Sequence, residues 1–104
     1  MELSEEFILE LTQSQQRLFG FLFKRLGDRE QAREVLQRTN LVLCRKSSAF
    51  EPGTNFKDWA MTVANCEVMA YRKGAQGIKE EVRFGAAILA WNRKSGARAL
   101  ARQD

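Results

Sequence analysis

Histidine is absent from this chain of 104 residues, proline occurs once, and cysteine only twice. Without histidine, and with Cys44 and Cys66 isolated from each other, no group of residues has metal-ligand spacing, and free thiols at least partly buried are the expectation. There is also no glycine-rich phosphate loop and no pair of carboxylates in a setting that would tune their acidity. A catalytic site, a cofactor and an enzyme are therefore not expected. No apolar run approaches the length of a membrane span, and the acidic start, Met1–Glu6, lacks the charged-then-apolar layout of a signal peptide. A cytoplasmic protein without membrane contact is expected. The lone proline and the scarcity of polar–apolar alternation leave little that reads as strand, so the chain is expected to be all-α.

What is present is enough apolar residue, 44%, for one compact domain, or for a domain with an appended helix. The net charge is +4, distributed unevenly: residues 1–52 carry eight basic and eight acidic side chains, residues 53–104 nine and five. An excess of this size suits an acidic partner such as nucleic acid, although many surfaces are as basic without one.

Apolar residues at intervals of three and four predict four helices. The first runs from about Ser4, a plausible cap before Glu5 and Glu6, to Leu26, where Gly27-Asp28 ends it. Its apolar residues flank a polar segment, Thr12–Arg17, expected to be a solvated turn. The second, about Arg29 to Ser47, has a core face of Ala32, Val35, Leu36, Thr39 and Leu43. Gln37, Asn40, Leu41 and Cys44 form a second stripe, which is either a partner's surface or an ordinary solvated flank. The third, about Phe56 to Lys73, places Trp59, Val63, Cys66 and Ala70 on one face, with Phe56 and Ala60 adjoining. Lys57, Asn65, Arg72 and Lys73 are left to solvent, the last two complementing the helix C-terminus. The fourth is expected over 78–101 and carries Phe84, Ile88 and Trp91 on one stripe.

Between the second and third helices, Phe50-Glu51-Pro52-Gly53-Thr54-Asn55 reads as a rigid turn running into a capped helix. Pro52 fixes its own backbone and Gly53 supplies a conformation other residues resist. Thr54 or Asn55 can accept the free amides of the next turn, and Asp58 stands where the reciprocal half of a capping box would.

Val35-Leu36-Gln37 through Asn40-Leu41-Val42-Leu43, then Arg45-Lys46, Phe50 to Phe56, Trp59-Ala60 and Tyr71-Arg72-Lys73 resemble region 2 of bacterial sigma factors of the sigma-70 family, in particular the extracytoplasmic-function group. The resemblance covers roughly Leu11 to Lys73. It implies a compact three-helix bundle over residues 1–76 that joins core RNA polymerase and opens promoter DNA; the helical extension expected over 77–104, of unknown role, resembles no family. It places Gln37, Arg38, Asn40, Leu41 and Cys44 against the clamp coiled coil of the largest polymerase subunit. Phe50, Glu51, Gly53, Thr54 and Asn55, with Lys57, Trp59, Asn65, Arg72 and Lys73, fall on single-stranded DNA of the minus-ten element. A base that leaves the stack needs preformed backbone groups and an apolar wall, which such a loop can provide. Trp59 is equally suited to wedge at the duplex fork or to fill the core.

Three positions depart from the family pattern. Arg38 stands where an acidic residue is usual, Cys44 where Trp is frequent, and Asn65 where Arg is common. Arg38 would repel a basic clamp surface, and Asn65 would remove a phosphate contact. The chain also ends at Asp104 without the family's second, minus-thirty-five-reading domain. Two functions follow: a sigma-type initiation protein, or a truncated sigma-like interaction protein that binds the clamp or another partner without productive initiation. An anti-sigma factor and a homodimer through the C-terminal helix are further partners left open.

Overall fold

Local chemistry sets the ends of the helices in the computed structural model, which describes residues 3–50, 55–74 and Val82, Phe84, Gly85, Ala87 and Leu89. Ser4 precedes α1 (Glu5–Leu26) and its Oγ accepts the Phe7 amide at 3.1 Å. Glu5 and Glu6 lie in the first turn and Lys24 and Arg25 in the last, each sign at the end the helix dipole favours. Gly27, at φ 74°, ends the helix and donates its amide to the Phe23 carbonyl at 2.7 Å.

α2 (Arg29–Arg45) follows at once and gives way to a short 3-10 turn over Ser47–Ala49. α3 (Phe56–Arg72) begins where Asn55 Oδ1 accepts the Asp58 amide at 3.2 Å. The architecture is all-α: three helices pack on one another, and no strand occurs among the described residues.

The core is built from Phe7, Leu18 and Leu22 of α1, Ala32, Val35, Val42 and Leu43 of α2, and Phe56, Trp59, Ala60, Val63, Ala64 and Val68 of α3. Three sequence expectations need correction. The polar segment Thr12–Arg17 is not a solvated turn: α1 runs through it unbroken, with Ser14 buried and its hydroxyl donated to the Glu10 carbonyl at 2.7 Å. On α2, Val42 is buried while Leu36 is only half-buried, so Val42 joins the core face and Leu36 lies at its edge. On α3, Cys66 and Ala70 are half-buried, and Ala64, Glu67 and Val68 take their place inside. The interior of α3 follows the line Phe56, Ala60, Val63, Glu67, which is helical spacing with a charged residue at its end.

Of the fourth helix expected over 78–101, Val82, Phe84, Gly85, Ala87 and Leu89 have helical backbone, and the remainder, with the boundary at 76, lies outside the described residues. Ala87 is buried in the same core, and the Lys46 ammonium stands 5.7 Å from the Phe84 ring centroid.

Candidate functional site

An aromatic cluster occupies the entry to α3. Phe50, the last described residue before the turn, sets its ring edge-on to Phe56 at 5.4 Å and tilted against Trp59 at 5.1 Å. Phe7 of α1 closes the cluster from the other side, edge-on to Phe56 at 5.4 Å. Such pairs prefer offset or edge-to-face contact and hold one another in place. Phe50 is half-buried, whereas Trp59 is 1% exposed. Trp59 is therefore a core residue here and not an exposed wedge, which leaves the second of its two sequence roles. Its indole Nε1 is buried with no hydrogen-bond partner among the described residues. Glu51, Gly53 and Thr54 of the expected reading loop, and Pro52, lie outside the described residues.

Basic side chains gather along the seam between α1 and α3. At its upper end Ser14, Arg17 and Leu18 face Lys57, Ala60 and Met61 across a shallow cleft. Farther along, the Arg25 guanidinium donates from Nη1 to Asn65 Oδ1 at 2.7 Å and covers the Phe21 ring at 5.5 Å. Arg72 donates from Nη2 to the Arg25 carbonyl, and Lys73 is exposed beside it. Arg17 and Arg25 are eight residues apart on α1, a rise of about 12 Å. The seam thus carries cations at both ends: Arg17 and Lys57 at one, Arg25, Arg72 and Lys73 at the other. Asn65, expected to be open to solvent, is half-buried under Arg25.

The outward face of α2 is the second surface. Gln37 is exposed and Leu41 is 52% exposed, while Cys44 is half-buried with a free thiol. Asn40 is drawn inward, contrary to its expected exposure. Its Nδ2 donates to Gln15 Oε1 at 2.8 Å, and its Oδ1 accepts from Gln15 Nε2 at 3.0 Å, a reciprocal pair joining α1 to α2. Arg38 leans the other way, toward α3. It bridges to Glu34 at 3.2 Å and lies 5.4 Å over the Tyr71 ring, while the Tyr71 hydroxyl donates to the other Glu34 oxygen at 3.3 Å. Burial and the Glu34 carboxylate both push the Tyr71 hydroxyl above its ordinary value, so it stays a donor.

Sequence reasoning missed Gln15, Arg25, Glu34 and Glu67. Glu34 and Arg38 had a legible signal, since opposite charges four residues apart share a helix face. Gln15 and Arg25 had none, because their partners stand 25 and 40 residues away. Glu67 extends the apolar line of α3, so its spacing pointed inward although its charge pointed out.

No group of metal-ligating side chains occurs among the described residues. No described helix is long and apolar enough to cross a membrane. The family model of sigma-70 region 2 matches residues 11–77, and the chain belongs to that family, one of transcription proteins and not of enzymes. No curated protein and no solved structure shows significant similarity to the chain.

Proposed function

We propose that this chain is a sigma factor domain of the extracytoplasmic-function type that docks on core RNA polymerase through α2 and holds the opened minus-ten strand of a promoter at the entry to α3. The observation that carries this reading is the family match over residues 11–77, which spans both surfaces. The packing of Phe50 on Phe56 and Trp59 supports it, because a half-exposed ring fixed by two others is a ready stacking surface for an unpaired base. Asn55, with its carbonyl oxygen committed to capping α3, still carries amide donors that suit a base edge.

In this reading the seam between α1 and α3 receives the phosphates. Arg25 supplies the positive charge that the family pattern places at position 65, and Asn65 serves as its positioning residue. Glu34 offsets the charge of Arg38 on the docking face, so the repulsion expected from Arg38 is reduced. Gln37 and Leu41 are the exposed anchors, and Asn40 acts by fixing α2 against α1.

Two measurements test the proposal on the full chain: retention of core RNA polymerase at low salt, and binding of single-stranded minus-ten-like oligonucleotides against scrambled ones. Retention with sequence preference supports it. Retention without any oligonucleotide binding favours a sigma-like interaction protein, and absence of both overturns the docking reading.

A further inference from the structure

Several of the described cations have partners, and two that share a cleft have none. Arg25 is held by Asn65, Arg38 by Glu34, Lys46 by the Phe84 ring and Arg72 by the Arg25 carbonyl. Arg17 of α1 and Lys57 of α3 are exposed, line the same shallow cleft, and have no hydrogen-bond or ion-pair partner among the described residues. Like charges on neighbouring helices repel, and no carboxylate belongs to the lining to offset them.

The rest of the lining narrows what can settle there. Leu18 and Ala60 are buried and, with half-buried Met61, make the floor apolar. Ser14 is the one uncharged polar residue, and its hydroxyl is already donated to the Glu10 carbonyl at 2.7 Å. The cleft therefore offers no side-chain amide or free hydroxyl proton with which to tell one base edge from another, and the groups free to bind are two positive charges. A shallow hollow with an apolar floor and cations on both sides suits an anion carried on a largely apolar frame, the form of a sugar-phosphate.

Position along α3 selects which one. Lys57 lies two residues and Met61 six residues past the cap Asn55, a rise of about 3 and about 9 Å. The cleft thus adjoins the helix entry, where Phe50 packs on Phe56 and Trp59.

We infer that Arg17 and Lys57 clamp a single phosphate of the unpaired strand, beside the nucleotide held at the entry to α3. The strand supplies the counter-charge that the packing of α1 on α3 lacks. This rests on the proposed minus-ten reading and adds to it a defined contact from α1, through Arg17, and a phosphate shared between two helices.

Methylphosphonate linkages, which remove the charge of one phosphate at a time, provide the test. In a minus-ten-like single strand carrying one neutral linkage at each position in turn, one position should weaken binding of the full chain about tenfold. Arg17→Gln and Lys57→Gln should each weaken binding of minus-ten-like and scrambled strands alike, and in both variants the neutral linkage at that same position should cost little further. The double variant should bind little worse than either single one, because both lose the same contact. In the free protein each substitution should raise the melting temperature at low salt and not at high salt, the mark of relieved repulsion. Retention of core polymerase should not change. Losses at different linkages for the two variants, additive losses in the double variant, a melting temperature lowered by either substitution, or weakened polymerase retention, which would assign the cleft to a protein carboxylate, would each overturn the clamp. Sequence preference with no linkage that depends on Arg17 sinks the clamp alone, whereas a dependent linkage without sequence preference keeps the clamp and sinks the minus-ten reading. Failure to bind any strand overturns both.

Discussion

Asn55 serves the fold and, in the proposed function, the DNA, and the two roles separate on substitution. Its Oδ1 caps α3 through the Asp58 amide. Asn55→Ala should lower stability by about 1 kcal/mol in urea denaturation, whereas Asn55→Ser, which still caps, should leave stability nearly unchanged. On minus-ten-like oligonucleotides Asn55→Ser should nonetheless relax base discrimination, by about 1–3 kcal/mol for a lost base contact. Unchanged preference in a folded Asn55→Ser protein would reduce the residue to a cap. Trp59 poses a different question, because its buried indole N–H finds no partner among the described residues, and a donor left unpaired costs about 1–3 kcal/mol. Trp59→Phe removes that donor along with some packing, so it should cost much less than Trp59→Ala, for which about 3–5 kcal/mol is expected. Equal losses for the two would mean that the Nε1 position matters to stability in a way burial alone does not explain. For Arg38, the ion pair with Glu34 makes Arg38→Gln the proper reference: Arg38→Glu should hold core polymerase more firmly than Arg38→Gln if an acidic residue suits the clamp.

At the scale of elements, the helices are joined by polar pairs laid over an apolar core. Gln15 and Asn40 exchange two hydrogen bonds between α1 and α2, so neither is replaceable alone. Gln15→Leu and Asn40→Leu should each destabilise by about 1 kcal/mol or more, and the double variant by less than their sum, since no polar group is then left without its partner. Additive losses in a denaturant-based double-mutant cycle would show that the pair is not coupled. The turn between the same helices depends on Gly27, whose φ of 74° is strained for any side chain. Gly27→Ala should cost about 1–2 kcal/mol although a Cβ there meets no atom within 4 Å, because the penalty is in the backbone and not in packing.

At the scale of the whole molecule, several cations gather along the seam between α1 and α3. In the proposed function, binding of single strands should weaken steeply with salt, and Arg25→Gln should weaken all sequences alike while reducing the salt slope by about 1. A loss confined to one sequence would assign Arg25 to base reading instead. The interior also imposes a pH limit. Burial, with the neighbouring Glu67 carboxylate adding to it, pushes the Cys66 thiol above its ordinary 9.0. Because the folded value is the higher one, the stabilising difference is fully present below pH 9.0 and is lost as pH rises through the folded value, the unfolded chain releasing its proton first. Cys66→Ser should flatten the alkaline limb of the stability profile; an unchanged limb would place its cause elsewhere.

The sequence by itself marked where α1, α2 and α3 begin and end to within about two residues, because those signals are local, although it read the interior of α1 at Thr12–Arg17 as a turn. Ser4, Gly27 and Asn55 act on amides within four residues, and apolar spacing of three and four needs no partner to be legible. It also marked the start of α3, the polar outer face of α2 and the family to which both belong. The tertiary structure alone decided which way each helix turned and what its polar groups met. Trp59 became core because Phe7, Phe50 and Phe56 converge on it. Asn65 lost its exposure to Arg25, Asn40 to Gln15, and Arg38 found Tyr71 across 33 residues of chain. Those contacts depend on how three helices pack together, and a wheel drawn for one helix contains no information about the neighbours that close around it.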